Sequence, residues 1–321
     1  MRRRSAEPED LPPLELRELR QLDLVEPSRP GRPAHLASAS GCFRRGDFVY
    51  AVGDDELFLA VFELSSGEPG QLHRAMSGEL AVDEGERSKE KPDLEALTAL
   101  PPFEDAPHGA LLGIGSGSGP GRDRGFFWPL GAEGSLEGEP TEIDLAPVYG
   151  LLGGEIAELN IEGASVVGDR LWLLQRGNSA DTENAVAELS LEKVMRSMVT
   201  DHAIDPEELL DLRSYELGDL DGTELCFSDA NALADGTLVF TASAEADDPA
   251  EGEDEIKGSV VGTIDREGEV HRLRTIDRKW KVEGVHATLD AGVIDLLFVC
   301  DQDDPVAPSP LLSGTIPAAR G

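Results

Sequence analysis

The sequence predicts an all-β chain, a five-bladed β-propeller closed by an N-terminal strand. Three observations predict it. First, one short unit recurs. Glu158-Leu-Asn-Ile-Glu162-Gly-Ala is matched position for position by Glu224-Leu-Cys-Phe-Ser228-Asp-Ala. Further copies are Asp93-Leu-Glu95-Ala-Leu-Thr, Val282-Glu283-Gly-Val-His286 and, more weakly, Ala39-Ser40-Gly41-Cys-Phe. Second, the aligned positions Ser40, Glu95, Glu162, Ser228 and Glu283 recur roughly 55 to 67 residues apart, the spacing of a repeat architecture. Third, each repeat offers four strand-like runs except the last, which ends one strand short. Four-stranded units around an axis make propeller blades.

Residues 1–13 are charged and Pro-rich and are expected to be disordered. The segment 14–24 alternates at Leu14/Leu16 and Leu22/Leu24, as a strand does. It is the spare strand that completes the fifth blade, so residues 14–321 form one propeller domain. Blade one uses Ser38–Phe43, Asp47–Gly53, Leu57–Leu64 and Gln71–Met76. A charged connector at 82–91 leads to blade two, with Glu95, Ala110–Gly115, Gly125–Leu130 and 141–146. Blade three runs from Glu162 through Arg170–Gln175 and 185–191, with a short helix near 192–198 before 211–217. Blade four has Ser228, Thr237–Ser243, an acidic loop at 245–255, Gly258–Asp265 and 270–276. Blade five has Glu283, Val293–Cys300 and Leu311–Ile316.

The formal net charge is −36 and the pI about 4.3. That balance repels phosphate backbones and anionic lipid, so neither nucleic acid nor membrane is expected as a partner. Only six of the 28 basic residues are lysine. Acid-rich, lysine-poor composition suits solubility in high salt, where screening removes self-repulsion. Cys42, Cys226 and Cys300 are odd in number and widely spaced, which argues against a disulfide framework and against zinc. They read as small buried hydrophobes. No apolar run is long enough for a span or a secretory signal, so the expected location is cytoplasmic.

Residues that open the innermost strands of a propeller converge on one end of its channel. Three carboxylates (Glu95, Glu162, Glu283) and two hydroxyls (Ser40, Ser228) are thus expected to face one another. Like charges at close range oppose ionisation, so either the pKa values rise or a cation compensates them. An oxygen-only, roughly pentagonal donor set suits Ca²⁺ better than Zn²⁺ or Mg²⁺. A water-filled channel with ordinary polar lining is the plainer alternative.

The Ser, Glu, Glu, Ser, Glu order resembles that of the calcium-dependent apyrases. That resemblance implies a five-bladed nucleotidase fold with Ca²⁺ in the central channel, held at those five positions. The nucleotide-binding loops of that family have no match here. The Leu94-Glu95-Ala, Ile161-Glu162-Gly and Val282-Glu283-Gly steps are also similar to the phytase-like esterase propellers. Taken whole, the chain most resembles uncharacterised bacterial propellers.

Inner and second strands are antiparallel, so loops after the second strands share the mouth of the ring. Ser116-Gly-Ser-Gly-Pro-Gly121 offers backbone N–H groups, and Arg122, Arg124, Arg176, Asn178 and Lys257 are candidates to bind a small anionic ligand. The competing reading is that each arginine meets a nearby carboxylate. His35 and His286 flank the rim. No Gly-x-Ser-x-Gly elbow, P-loop or His-Glu-x-x-His is present. The sequence favours a scaffold that binds a small ligand or a protein, with Ca²⁺ at its axis. The alternative is a Ca²⁺-dependent hydrolase of a phosphoester or other ester. The sequence leaves the oligomeric state open.

Overall fold

The computed structural model describes residues 2–177, 183–248, 253–301 and 304–318. Five antiparallel four-stranded blades make a propeller. Blade one is Ala39–Arg45, Phe48–Gly53, Phe58–Glu63 and Gln71–Arg74. Blade two is Leu94–Leu100, Ala110–Gly115, Arg124–Pro129 and Thr141–Asp144. Blade three is Ile161–Val167, Arg170–Gln175, Asn184–Ser190 and Asp211–Glu216. Blade four is Cys226–Ala232, Leu238–Asp248, Glu253–Ile264 and Val270–Thr275. Blade five is Val282–Asp290, Val293–Cys300, Pro310–Pro317 and the N-terminal Arg17–Gln21. No helix among the described residues is long and apolar enough to cross a membrane.

The ring closes as expected. Arg17–Gln21 runs antiparallel to residues 310–313. Leu14 and Leu16 bury against Ile276, Phe298 and Leu312, while Leu22 and Leu24 bury against Leu36, Val299 and Leu311. A bulge between Glu18 and Arg20 lets both leucine pairs face apolar neighbours. Residues ahead of this strand depart from expectation. Arg2–Ser5, expected to be disordered, pairs parallel with residues 213–216 as a fifth strand of blade three.

Buried side chains form five clusters, each shared between two adjacent blades. Blades one and two, for example, share Tyr50, Leu59, Leu97, Leu111 and Phe126. The core is therefore five wedges rather than one centre. That follows from alternation: each strand buries both faces, one toward each neighbouring blade.

The connector expected only as a charged link carries a helix, Glu84–Glu90, and a second helix, Ala146–Leu152, joins blades two and three where no element is expected. Asp83 caps the first by accepting from Glu86 N at 3.0 Å. The short helix of blade three is Leu191–Asp201. The expected acidic loop at 245–255 is a correction: the hairpin strands extend to Asp248 and restart at Glu253.

The inner strands approach so closely that a Cβ at Gly41, Gly163 or Gly284 would crowd the backbone of the neighbouring strand. A Cβ on Gly284 would lie 2.7 Å from Ser40 O and 3.0 Å from Gly41 Cα. Gly163 and Gly41 face equivalent backbone contacts. Gly284→Val is expected to cost about 2–3 kcal/mol, read by denaturant unfolding, because backbone atoms cannot yield. Side chains stitch the same strands together. Asp229 accepts from Val285 N at 2.8 Å, Asn231 from Ala287 N at 3.1 Å, and Ser165 from Ala232 N at 2.8 Å.

Candidate functional site at the axial mouth

Every inner strand carries a β-bulge at one equivalent place. The register breaks between Ala39 and Gly41, Leu94 and Ala96, Ile161 and Gly163, Phe227 and Asp229, and Val282 and Gly284. The skipped residues are Ser40, Glu95, Glu162, Ser228 and Glu283. A bulge leaves one residue out of the ladder and re-aims its side chain. The five positions singled out by the repeats are thus structurally equivalent. The recurring Gly or Ala after them lets neighbouring inner strands touch.

The side chains fall into two ion networks. Arg176, at the end of the second strand of blade three, lies 2.7 Å from Glu245 and 3.8 Å from Glu162. Lys281 reaches Glu283 at 3.5 Å and Glu245 at 3.9 Å. Asn160 Nδ2 donates to Glu162 at 2.7 Å. On the opposite side of the mouth, Lys91 pairs with Asp54 and, at 2.7 Å, with Asp93. Arg122 Nη1 donates to Asp93 at 2.8 Å.

Glu95 stands between the two networks and makes no hydrogen bond or ion pair among the described residues. Its oxygens lie within 4.8 Å of those of Asp54 and Asp93, the one such acidic trio among the described residues. Glu95, Glu162 and Glu283 therefore do not all approach one another within that distance. Ser40 donates to Ser38 O at 3.3 Å, and Ser228 Oγ lies 3.0 Å from the acceptor Thr241 Oγ1 and 3.3 Å from Val282 O. Each hydroxyl proton is thus already engaged.

Burial raises the carboxyl pKa values here. Glu95 is pushed well up by burial first, then by Glu162, Asp93 and Asp54. Burial raises Glu162 to about 7 although Arg176 opposes it. Burial and then Glu245 raise Glu283 to about 8, against Lys281 and Arg176. Glu245 is held low despite burial, because Arg176 and Lys281 both face it. Asp229 is fully buried and likewise pushed well up.

These shifts carry a sign. A carboxyl whose folded pKa is raised binds protons that the unfolded chain has released. Glu162 and Glu283 do so between their ordinary value of 4.5 and about 7 and 8. Stability from these two groups is therefore full below about pH 4.5 and falls as pH rises through that window. Each contributes on the order of 3 kcal/mol of lost stability by pH 8. Asp93 and Glu245 act oppositely and withdraw stability in acid. Melting scans are expected to peak near pH 5 and decline toward pH 8, and Glu283→Gln is expected to flatten that decline.

The anion-binding candidates do not share a partner. Arg122 serves Asp93. Arg124 bonds Glu142 at 2.6 Å and Ser77 O at 3.1 Å. Arg176 belongs to the axial network, and Lys257 lies close enough to Asp221 to lower its pKa. Asn178 lies outside the described residues. The Ser/Gly loop folds onto Asp93 through Ser116 and Ser118 Oγ, the latter at 3.1 Å. His286 is a correction: it lies down the inner strand, away from the rim, in a groove lined by Arg44 and Asp295. Cys42 and Cys300 are buried, and all three cysteines are free thiols.

Sequence reasoning missed Lys91, Asp93, Glu245 and Lys281 as site residues, though the Asp54-Asp55 loop is expected at the mouth. A signal existed for two. The residues two before the bulge are Ser38, Asp93, Asn160, Cys226 and Lys281, and four of these five are polar. Glu245 was hidden in a stretch read as loop.

No curated protein matches the sequence. Among solved structures, an α-L-arabinofuranosidase from Podospora anserina is similar at 13% identity and a TM-score of 0.51, covering 97% of this chain and 100% of that one. The glutaminyl cyclase of Myxococcus xanthus is similar at 12% identity and a TM-score of 0.46, covering 96% and 100%. At 13% identity the likeness to the arabinofuranosidase shows the fold alone. The profile of DUF6929, a family of unknown function, matches residues 35–316, from His35 to the last strand of blade five, and the chain belongs to that family.

Proposed function

We propose that this propeller is a binding scaffold whose axial mouth takes one divalent cation, Ca²⁺. Glu95, Glu162 and Glu283 would carry the charge, and Ser40 and Ser228 would add neutral oxygens. One observation carries the reading: among the described residues Glu95 makes no ion pair, and it stands between a network of three carboxyls against two bases and one of two carboxyls against two bases. Among the described residues at the mouth, Asp54, Asp93, Glu95, Glu162, Asp229, Glu245 and Glu283 face four bases, Lys91, Arg122, Arg176 and Lys281. Protons or a cation must balance the excess. The donors are all oxygen, which fits a hard cation. The separation of the glutamates and the presence of Arg176 and Lys281 weaken the site, so a Kd of about 10⁻⁴ to 10⁻³ M is expected.

Chelation tests it. EDTA is expected to lower the melting temperature of the purified chain at pH 8, and added Ca²⁺ to restore it. An unchanged melting curve under both treatments contradicts the proposal. A second reading is hydrolysis of a phosphoester or other ester at the mouth. It is favoured by the poise of Glu162 and Glu283 near neutrality, where a carboxyl serves as acid or base. Metal-dependent turnover of an ester and nucleotide panel would establish it, and no turnover would leave the scaffold.

A further inference from the structure

Away from the mouth lies a cavity of about 520 Å³. It opens on the face of blade five turned toward blade one. The register explains its lining. His286 pairs with Leu297, Leu297 with Ser313, and Ser313 with Arg17, so all four sit on one side of the sheet. Asp295 pairs with Thr288 and Thr315 on the same side. Arg44, near the end of the blade one inner strand, closes the cavity from across the blade interface.

His286 is its floor. The side chain is buried, with 6% exposure. Neither ring nitrogen has a hydrogen-bond partner. The ring is held edge-on by Phe43, 4.9 Å between centroids. Two polar atoms left unmade in a buried position cost free energy unless something fills the cavity. Burial, helped by Arg44, lowers the imidazole pKa to about 4. The ring is thus neutral at physiological pH, with one donor and one acceptor.

The charged lining has both signs. Glu15, Arg17, Arg44 and Asp295 all border the cavity. None of the four makes an ion pair among the described residues, and Arg44 Nε donates only to Gly46 O at 2.9 Å. Elsewhere most arginines of this acid-rich chain have found carboxylates. Leu19 and Leu297 supply an apolar wall.

We propose that this cavity binds a small zwitterion of the amino-acid class with an aliphatic side chain. Arg17 and Arg44 receive its carboxylate, and Glu15 and Asp295 its ammonium. His286 fixes its orientation by a hydrogen bond, and the leucines cover its side chain. A purely anionic ligand would meet Glu15 and Asp295 unpaired, and a purely cationic one would meet the arginines. The inference is independent of cation binding at the mouth.

The test is calorimetric titration of the full chain with leucine, isocaproate and isoamylamine, each to about 10 mM. These differ by one charged group each. Leucine is expected to bind at least tenfold more tightly than either of the others. Arg44→Ala, at an exposed edge, and His286→Gln are each expected to weaken leucine at least tenfold while melting curves confirm the fold. Overturning results are no heat from leucine, equal affinity for isocaproate or isoamylamine, or leucine binding unchanged in Arg44→Ala.

Discussion

Arg176→Ala is expected to destabilise the protein by about 3–5 kcal/mol at pH 8, the cost of leaving buried charge uncompensated. The guanidinium side chain is 12% exposed and sits between Glu162 and Glu245, within the field of Glu283. Its removal leaves three buried carboxyls with Lys281 as their remaining base. Below about pH 5 those carboxyls take up protons, so the cost is expected to shrink there. Denaturant unfolding at pH 5 and pH 8 separates charge from packing. An equal cost at both pH values would assign Arg176 a packing role only. Adding Glu245→Gln to Arg176→Ala is expected to recover part of the loss at pH 8.

The second large effect concerns closure. Removing residues 1–25 takes away Leu14, Leu16, Leu22 and Leu24, all buried. Four such side chains contribute on the order of 6–12 kcal/mol of burial, comparable with the whole stability of a domain. The same deletion exposes the unpaired edge of Pro310–Pro317. The truncated chain is expected to elute as aggregate in gel filtration. Leu22→Ala is the milder probe, expected to cost about 2–5 kcal/mol with the monomer retained. A truncated chain that melts cooperatively at the full-length temperature would show that blade five closes without the strand.

How much of this was visible in the sequence follows from what repeats can encode. The bulged positions were legible because each is a polar residue followed by Gly, Ala or Asp, and the small residue is forced by contacts such as that of Gly284 with Ser40 O. The closing strand was legible from the leucine alternation at both its ends. Partners were harder. Lys91, Arg176 and Lys281 reach the axis from three different loops or strand ends, and nothing local announces which carboxylate each will meet. Arg122 and Arg124 looked like one anion site, yet they lie two residues apart on a chain entering a strand. One turns to Asp93 and the other to Glu142. Arg122 sits in the turn ahead of the strand that Arg124 opens, so the same-face rule for residues two apart on a strand does not hold for this pair. The helix Glu84–Glu90 was invisible because it is charged on nearly every side.

The central claim is that the bulged glutamates form one cation-responsive unit. Calorimetric titration of Ca²⁺ into the full-length chain at pH 7.5, in two buffers of different ionisation enthalpy, tests it most directly. Binding is expected to saturate and to release protons from Glu95, Glu162 and Glu283, so that the observed heat changes with the buffer. Glu95→Gln is expected to abolish it. Absence of saturable heat in the unaltered chain, or an unchanged isotherm in Glu95→Gln, contradicts the claim.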